Sequence, residues 1–76
     1  NRESIVTVFK RLSRFYNVSF VTESSVELNR KISGKLDLKE SLEDVMKVVS
    51  DAAPITFRID QDRVFVNNKI NYMPMR

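Results

Sequence analysis

The chain has 76 residues, 42% of them hydrophobic and 30% charged, and a formal net charge of +3. This is the size and composition of one small globular domain. The chain contains no cysteine and no histidine, which excludes disulfides and thiolate metal sites and removes the commonest general base. No apolar run reaches membrane-spanning length. Because the sequence opens at Asn1 without a methionine, we expect a fragment of a longer protein.

The first predicted element is a helix from about Arg2 to Tyr16. Its apolar residues recur at helical spacing and are Ile5, Val8, Phe9, Leu12, Phe15 and Tyr16. We expect Asn1 to cap its start, and Asn17 to end it in the left-handed conformation that asparagine tolerates.

Two strands and a second helix follow. Residues 18–22 are β-branched and aromatic, and residues 31–36 alternate apolar with polar, so both predict strands. Gly34, inside the second strand, is expected to mark a bulge or a close approach of a helix. We predict the second helix from Asp37 to about Ala52, with Asp37 and Glu40 as a capping box. Pro54 should force its predecessor out of the helical region.

The remaining sequence predicts a hairpin. Residues 55–59 and 63–66 form its strands, and an aspartate of the turn 60–62 is expected to adopt its special dihedral angles. We therefore predict a small α+β domain over residues 1–67, with two helices packed on short two- and three-stranded sheets in the order α-β-β-α-β-β, and a tail over 68–76. The expected core residues are Phe9, Leu12, Val18, Phe20, Ile32, Leu42, Val45, Met46, Phe57 and Val64. Leu42→Ala should cost about 2–5 kcal/mol.

No catalytic or metal-binding pattern is present. The helix-two carboxylates, Glu40, Glu43 and Asp44, fall on its exposed side, and the serines have no histidine to activate them. Gly34 is the single glycine, so there is no glycine-rich phosphate loop. We expect no enzymatic activity, no metal and no cofactor.

Two surface features are candidates for binding a partner. Lys10, Arg11 and Arg14 share one helical face and could steer an acidic partner. The strand 31–36, with Lys31, Ser33 and Lys35 exposed, could serve as an edge that accepts a partner's strand. Ordinary solvated surface charge is the default explanation of the same residues.

Nucleic-acid binding is a lower-ranked alternative. Small RNA-binding folds display aromatic residues between basic ones on an open sheet. Phe20, Phe57 and Phe65 are predicted on the apolar side of the sheet, where packing in the core is the expected role. We therefore expect no nucleic-acid partner and no direct membrane contact from this fragment.

The order of four segments gives a resemblance to a known family. These segments are the run from Ser4 to Phe20, Ile32-Ser-Gly-Lys-Leu36, Ser41-Leu-Glu-Asp-Val-Met46 and Ile55-Thr-Phe57. Together they resemble the C-terminal domain of FecR-like anti-sigma factors, common in Bacteroidetes, over about residues 2–66. The chain is also similar to the short N-terminal domain of secretins and TonB-dependent receptors, with Leu36, Asp37 and Ser41 replacing that domain's aromatic, hydroxyl and alanine residues.

The resemblance implies a relay module without enzymatic activity. In the FecR-like family an inner-membrane protein holds a sigma factor through a cytoplasmic segment, which is not in this chain. Its periplasmic C-terminal part senses the signalling domain of a TonB-dependent outer-membrane transducer. The alternative is that the chain is itself the signalling domain of a TonB-dependent receptor or a secretin. A membrane span encoded upstream would favour the anti-sigma factor.

Overall fold

The elements of the computed structural model, which describes residues 2–34 and 36–69, follow the predicted order with one addition. A short strand precedes the first helix. In chain order the elements are β1 (Arg2–Ser4), α1 (Ile5–Tyr16), β2 (Ser19–Thr22), β3 (Lys31–Ser33), α2 (Leu42–Ala52), β4 (Ile55–Asp60) and β5 (Arg63–Asn68). The predicted α+β class, with two helices and a two- and a three-stranded sheet, is confirmed.

The first helix starts later than predicted, because the residues before it belong to β1. Ser4 is the N-cap, and its Oγ accepts a hydrogen bond from the amide of Thr7 at 3.3 Å. Asn1, the expected cap, lies outside the described residues. β1 pairs antiparallel with β3, Glu3 standing opposite Ile32. A three-residue strand of this kind depends on its distant partner and leaves no periodic pattern in the sequence.

The end of α1 is as predicted. Asn17 adopts the left-handed conformation, with φ 57° and ψ 52°. The Oγ of Ser13 then donates to the carbonyl oxygen of Val18 at 2.5 Å, and the Val18 amide donates to the Ser13 carbonyl oxygen at 3.1 Å. These bonds fix the direction in which β2 leaves the helix.

The predicted start of the second helix is wrong. α2 begins at Leu42, and its N-cap is Ser41, whose Oγ accepts from the amide of Asp44 at 3.2 Å. Asp37 instead stabilises the preceding turn, where its Oδ1 accepts from the amide of Lys39 at 3.0 Å. Both residue types are good caps, so the sequence alone did not decide between them. The helix ends before Pro54, with Ala53 in extended geometry as expected.

The three-stranded sheet has the order β2-β5-β4. β2 runs parallel to β5, and β4 runs antiparallel to it. The β4–β5 turn consists of Gln61 and Asp62, and Gln61 takes the positive φ of 56° that we expected of an aspartate. β5 extends to Asn68, two residues beyond its predicted end.

The core lies between the two helices and the inner face of this sheet. Of the ten predicted core residues, five are buried, namely Phe9, Leu12, Val45, Met46 and Val64. The other five are partly buried and pack against that centre: Val18, Phe20, Ile32, Leu42 and Phe57. The buried set also contains Ile5, Val8, Val26, Val49, Ala53, Ile55 and Val66.

β3 is shorter than predicted and ends at Ser33. Gly34 follows with a φ of +126°, a conformation that side-chain-bearing residues rarely adopt. A Cβ atom built on it would meet nothing within 4 Å. The expectation of a close helix approach is therefore wrong, and the backbone angle explains the glycine.

Candidate functional site

The three basic candidates of the first helix lie on its exposed face. Lys10, Arg11 and Arg14 are all exposed, and together with Thr7 and Phe15 they line an open depression of about 560 Å³. The buried face of α1 carries its apolar stripe, so this basic face points away from the core.

Phe15 is the residue of this surface whose predicted position is wrong. We predicted it on the apolar face, yet 57% of it is exposed. Tyr16 is partly buried and packs against the core, whereas Phe15, about 100° further around the helix, lies outside it. Tyr16 takes the inner position, and Phe15 rests against it edge-on, with ring centroids 5.0 Å apart.

The three basic side chains differ in whether a carboxylate of this chain already pairs with them. One terminal nitrogen of Arg11 donates to both carboxylate oxygens of Glu3, at 2.5 and 2.6 Å. This pair ties α1 to β1 and raises the pKa of the Arg11 guanidinium, chiefly through the hydrogen bond to Glu3. Within residues 2–34 and 36–69, Lys10 and Arg14 have no carboxylate within 4.0 Å. They are therefore the better candidates for an acidic partner.

The second predicted surface, the strand edge, is placed on β3. Lys31 and Ser33 are exposed and stand opposite Ser4 and Arg2 of β1. In a two-stranded sheet the other side of β3 has no strand partner among the described residues. Lys35, the third candidate of this strand, lies outside the described residues.

The helix and strand candidates meet at one depression. Arg11 and Ser33 both line a space of about 250 Å³ between α1, β3 and α2. The larger apolar residues of its lining are Val8, Ile32, Leu36, Val48 and Val49. Lys10, Arg14 and Lys31 are not part of this lining, so the structure does not join all the candidate residues into one site.

A different groove, which we did not predict, separates α1 from β2. We call it the α1–β2 groove; its volume is about 330 Å³ and its lining residues are Val6, Phe9, Lys10, Ser13, Arg14, Phe20, Thr22 and Leu28. The rings of Phe9 and Phe20 stack within it, 4.3 Å apart and 13° from parallel. Lys10 and Arg14 thus border both the basic face and this groove.

The outer face of the three-stranded sheet carries a row of three side chains. Val21, Phe65 and Arg58 stand opposite one another on β2, β5 and β4. The Arg58 guanidinium lies over the Phe65 ring, 4.4 Å from its centroid. The prediction that Phe65 faces the core is therefore wrong, because Val64 and Val66 occupy the inner positions of β5. Since Arg58 covers the ring, this row does not favour stacking of nucleic-acid bases.

Metal clusters and membrane-spanning helices are both absent from the described part of the chain. Between residues 2–34 and 36–69, no group of three or more acidic, histidine or cysteine side chains is placed to hold a metal ion. Neither described helix has the length and apolarity required to cross a membrane.

The chain matches a known protein family and resembles a solved structure. Residues 1–66 match the family described as FecR, C-terminal. The fold is similar to that of a solved structure, described as a putative anti-sigma factor from Parabacteroides distasonis ATCC 8503, with a TM-score of 0.74 and 30% sequence identity. The similarity covers 87% of this chain and 31% of that one, so this chain spans about a third of its neighbour's length. No curated protein sequence matches the chain.

Proposed function

This chain belongs to the family of FecR C-terminal domains, and on that premise we propose that it is the periplasmic signalling module of a transmembrane anti-sigma factor. It receives a signal from the signalling domain of a TonB-dependent outer-membrane transducer by direct protein–protein contact. The sigma factor is held by a segment outside this chain. Family membership and the structural neighbour, itself described as an anti-sigma factor, support this role in signalling.

The single structural observation that carries the proposal is the surface around Phe15. A phenylalanine with 57% of its surface exposed stands beside Lys10, Arg11 and Arg14. Aromatic residues and arginine are the side chains that most often anchor protein interfaces. Basic residues around an aromatic anchor suit an acidic partner, whose approach they accelerate at low salt.

The proposed role requires no chemistry of this domain. A relay works when its partner binds one state of the protein more tightly than another, since a ligand shifts an equilibrium only by that difference in affinity. A domain of this size has a small free energy of unfolding. A partner that binds the folded domain therefore raises its stability. In this proposal, that change alters how accessible the rest of the anti-sigma factor is to other proteins.

The test is calorimetric titration of the chain with the purified signalling domain of the transducer encoded beside its gene. We expect binding that weakens as salt is added, because the charges are exposed and screened. Phe15→Ala should weaken it, whereas Val48→Ala, which truncates an exposed apolar residue of α2, is the matched control. Lack of binding by the unmodified chain would refute the proposal. Tighter binding of an oligonucleotide, lost steeply with salt, would favour the nucleic-acid alternative.

A further inference from the structure

We infer that the α1–β2 groove binds an extended segment of the partner, which adds as a strand to the free edge of β2 and directs acidic side chains to Lys10 and Arg14. The inference rests on the proposed function and specifies which part of the chain the partner occupies. The edge strand to which the partner's strand adds is β2 in this inference, and not β3, which contains part of the strand that the sequence suggested.

The backbone of β2 has groups available for a further strand. The amides of Ser19 and Glu23 donate to carbonyl oxygens of the β5 side, at Asp62 (2.8 Å) and Val66 (2.9 Å). Backbone groups alternate between the two edges of a strand, so those of Phe20 and Thr22 point away from β5. In the described part of the chain, β2 is an edge strand of the three-stranded sheet. Among those residues, the backbone groups of Phe20 and Thr22 make no hydrogen bond to any turn, loop or helix.

The groove beside this edge has the shape that an added strand requires. Ser13 contacts Val18, and Phe9 stacks on Phe20, so α1 and β2 lie side by side and run in opposite directions. A strand added to β2 would turn every second side chain toward α1. At the end near Thr22, those side chains would meet the apolar groups of Val6 and Leu28.

The other end of the groove is basic. Lys10 and Arg14 are one helical turn apart, about 6 Å along the axis, which is close to the spacing of about 6.6 Å between alternate residues of a strand. Carboxylates at alternate positions of the bound segment would therefore match the two cations. The half of the chain that contains the groove, residues 1–36, carries seven lysines and arginines against three acidic residues, and this positive balance also favours an acidic partner.

The first test reverses the charge of the groove. Lys10→Glu combined with Arg14→Glu should weaken binding of the transducer's signalling domain about tenfold or more and flatten its salt dependence. The matched control, Lys39→Glu combined with Arg63→Glu, makes the same change in net charge at exposed positions outside the groove lining. The control should bind at least half as tightly as the unmodified chain.

The second test addresses the backbone edge. Thr22→Pro removes the amide that points to the free edge and leaves the bonds to β5 intact, as proline does where the amide of an edge strand faces solvent. It should weaken binding about tenfold or more, and clearly more than Thr22→Ala does, because the alanine variant loses a side chain of the groove lining but keeps the backbone amide. Hydrogen exchange measured by NMR on the unmodified chain should show the Phe20 and Thr22 amides protected in the complex. This measurement needs no variant, so it tests strand addition to β2 even if the proline variant unfolds.

The outcomes separate the two proposals. Binding by the unmodified chain with unchanged affinity of both groove variants, or without protection of these amides, would overturn the groove while the proposed function stands. Failure of the unmodified chain to bind would overturn the proposed function and this inference together. Protection on β3 instead of β2 would move the interface to the two-stranded sheet and also overturn the groove.

Discussion

The hydroxyl of Tyr16 donates a hydrogen bond to the carbonyl oxygen of Glu40 over 2.7 Å. This bond joins the last turn of α1 to the segment that leads into α2. The carbonyl oxygen of Leu38 lies 3.4 Å from the same hydroxyl. The Tyr16 side chain therefore holds the irregular segment before α2 against the end of α1.

Removing this hydroxyl should destabilise the domain. Tyr16→Phe is expected to lower the free energy of unfolding by about 0.5–1.5 kcal/mol, the usual net value of one hydrogen bond. Desolvation, followed by the charges of Asp37 and Glu40, raises the pKa of Tyr16. A raised pKa favours the protonated form in the folded state, so its contribution is complete below the unfolded pKa of about 10 and is lost as pH rises through the folded value. Urea unfolding at pH 8 and pH 11 checks both points: the difference between parent and variant should shrink at the higher pH.

An acid-sensitive contact is predicted at Glu23. Its Oε1 accepts a hydrogen bond from the amide of Ser25 at 2.9 Å and another from the Ser25 hydroxyl. The side-chain bond, followed by the backbone bond, lowers the pKa of Glu23. A lowered pKa stabilises the folded state above the unfolded pKa of about 4.3, and this contribution disappears as pH falls through the folded value. Glu23→Gln should therefore flatten the loss of thermal stability between pH 5 and pH 2. Glu27→Gln, which removes the same charge from the same loop and leaves the bonds to Ser25 in place, is the control for the loss of charge alone.

The centre of the core should be sensitive to truncation at Leu12. Leu12 is fully buried, so Leu12→Ala is expected to cost about 2–5 kcal/mol, enough to unfold a large part of the population of so small a domain. Val48→Ala truncates a residue that is 51% exposed on the second helix and should cost less than about 0.5 kcal/mol. Leu42→Ala, for which the sequence alone predicted a cost of about 2–5 kcal/mol, should cost less than Leu12→Ala because Leu42 is only partly buried. Equal melting temperatures for the Leu12 variant and the parent would contradict this core.

The start of α2 gives a direct comparison of two possible caps. Ser41→Ala should lower stability by about 0.5–2 kcal/mol, since the amide of Asp44 loses its acceptor. Asp37→Ala removes an acceptor from an exposed turn and should cost less. Chemical denaturation of the two variants checks the order. A larger effect at Asp37 would restore the capping box that the sequence pattern predicted.

The sequence by itself determined the elements that repeat over several turns or residues. The apolar positions of α1 from Ile5 to Leu12, the left-handed Asn17 and the extended residue before Pro54 were all correctly predicted. These features depend on a residue's own conformational preferences and on neighbours within one turn. For the same reason the α+β class and the resemblance to FecR C-terminal domains follow from the order of the residues alone.

Tertiary structure decided the features that depend on distant partners. β1 forms because β3 lies beside it, and Phe65 faces outward because Val64 and Val66 occupy the core side of β5. A strand's alternation fixes which residues share a face but not which face is buried. The ion pair of Arg11 with Glu3, which left Lys10 and Arg14 as the free cations of the basic face among the described residues, also joins two elements. The α1–β2 groove arises in the same way, because it exists only where a helix packs beside the open edge of a strand.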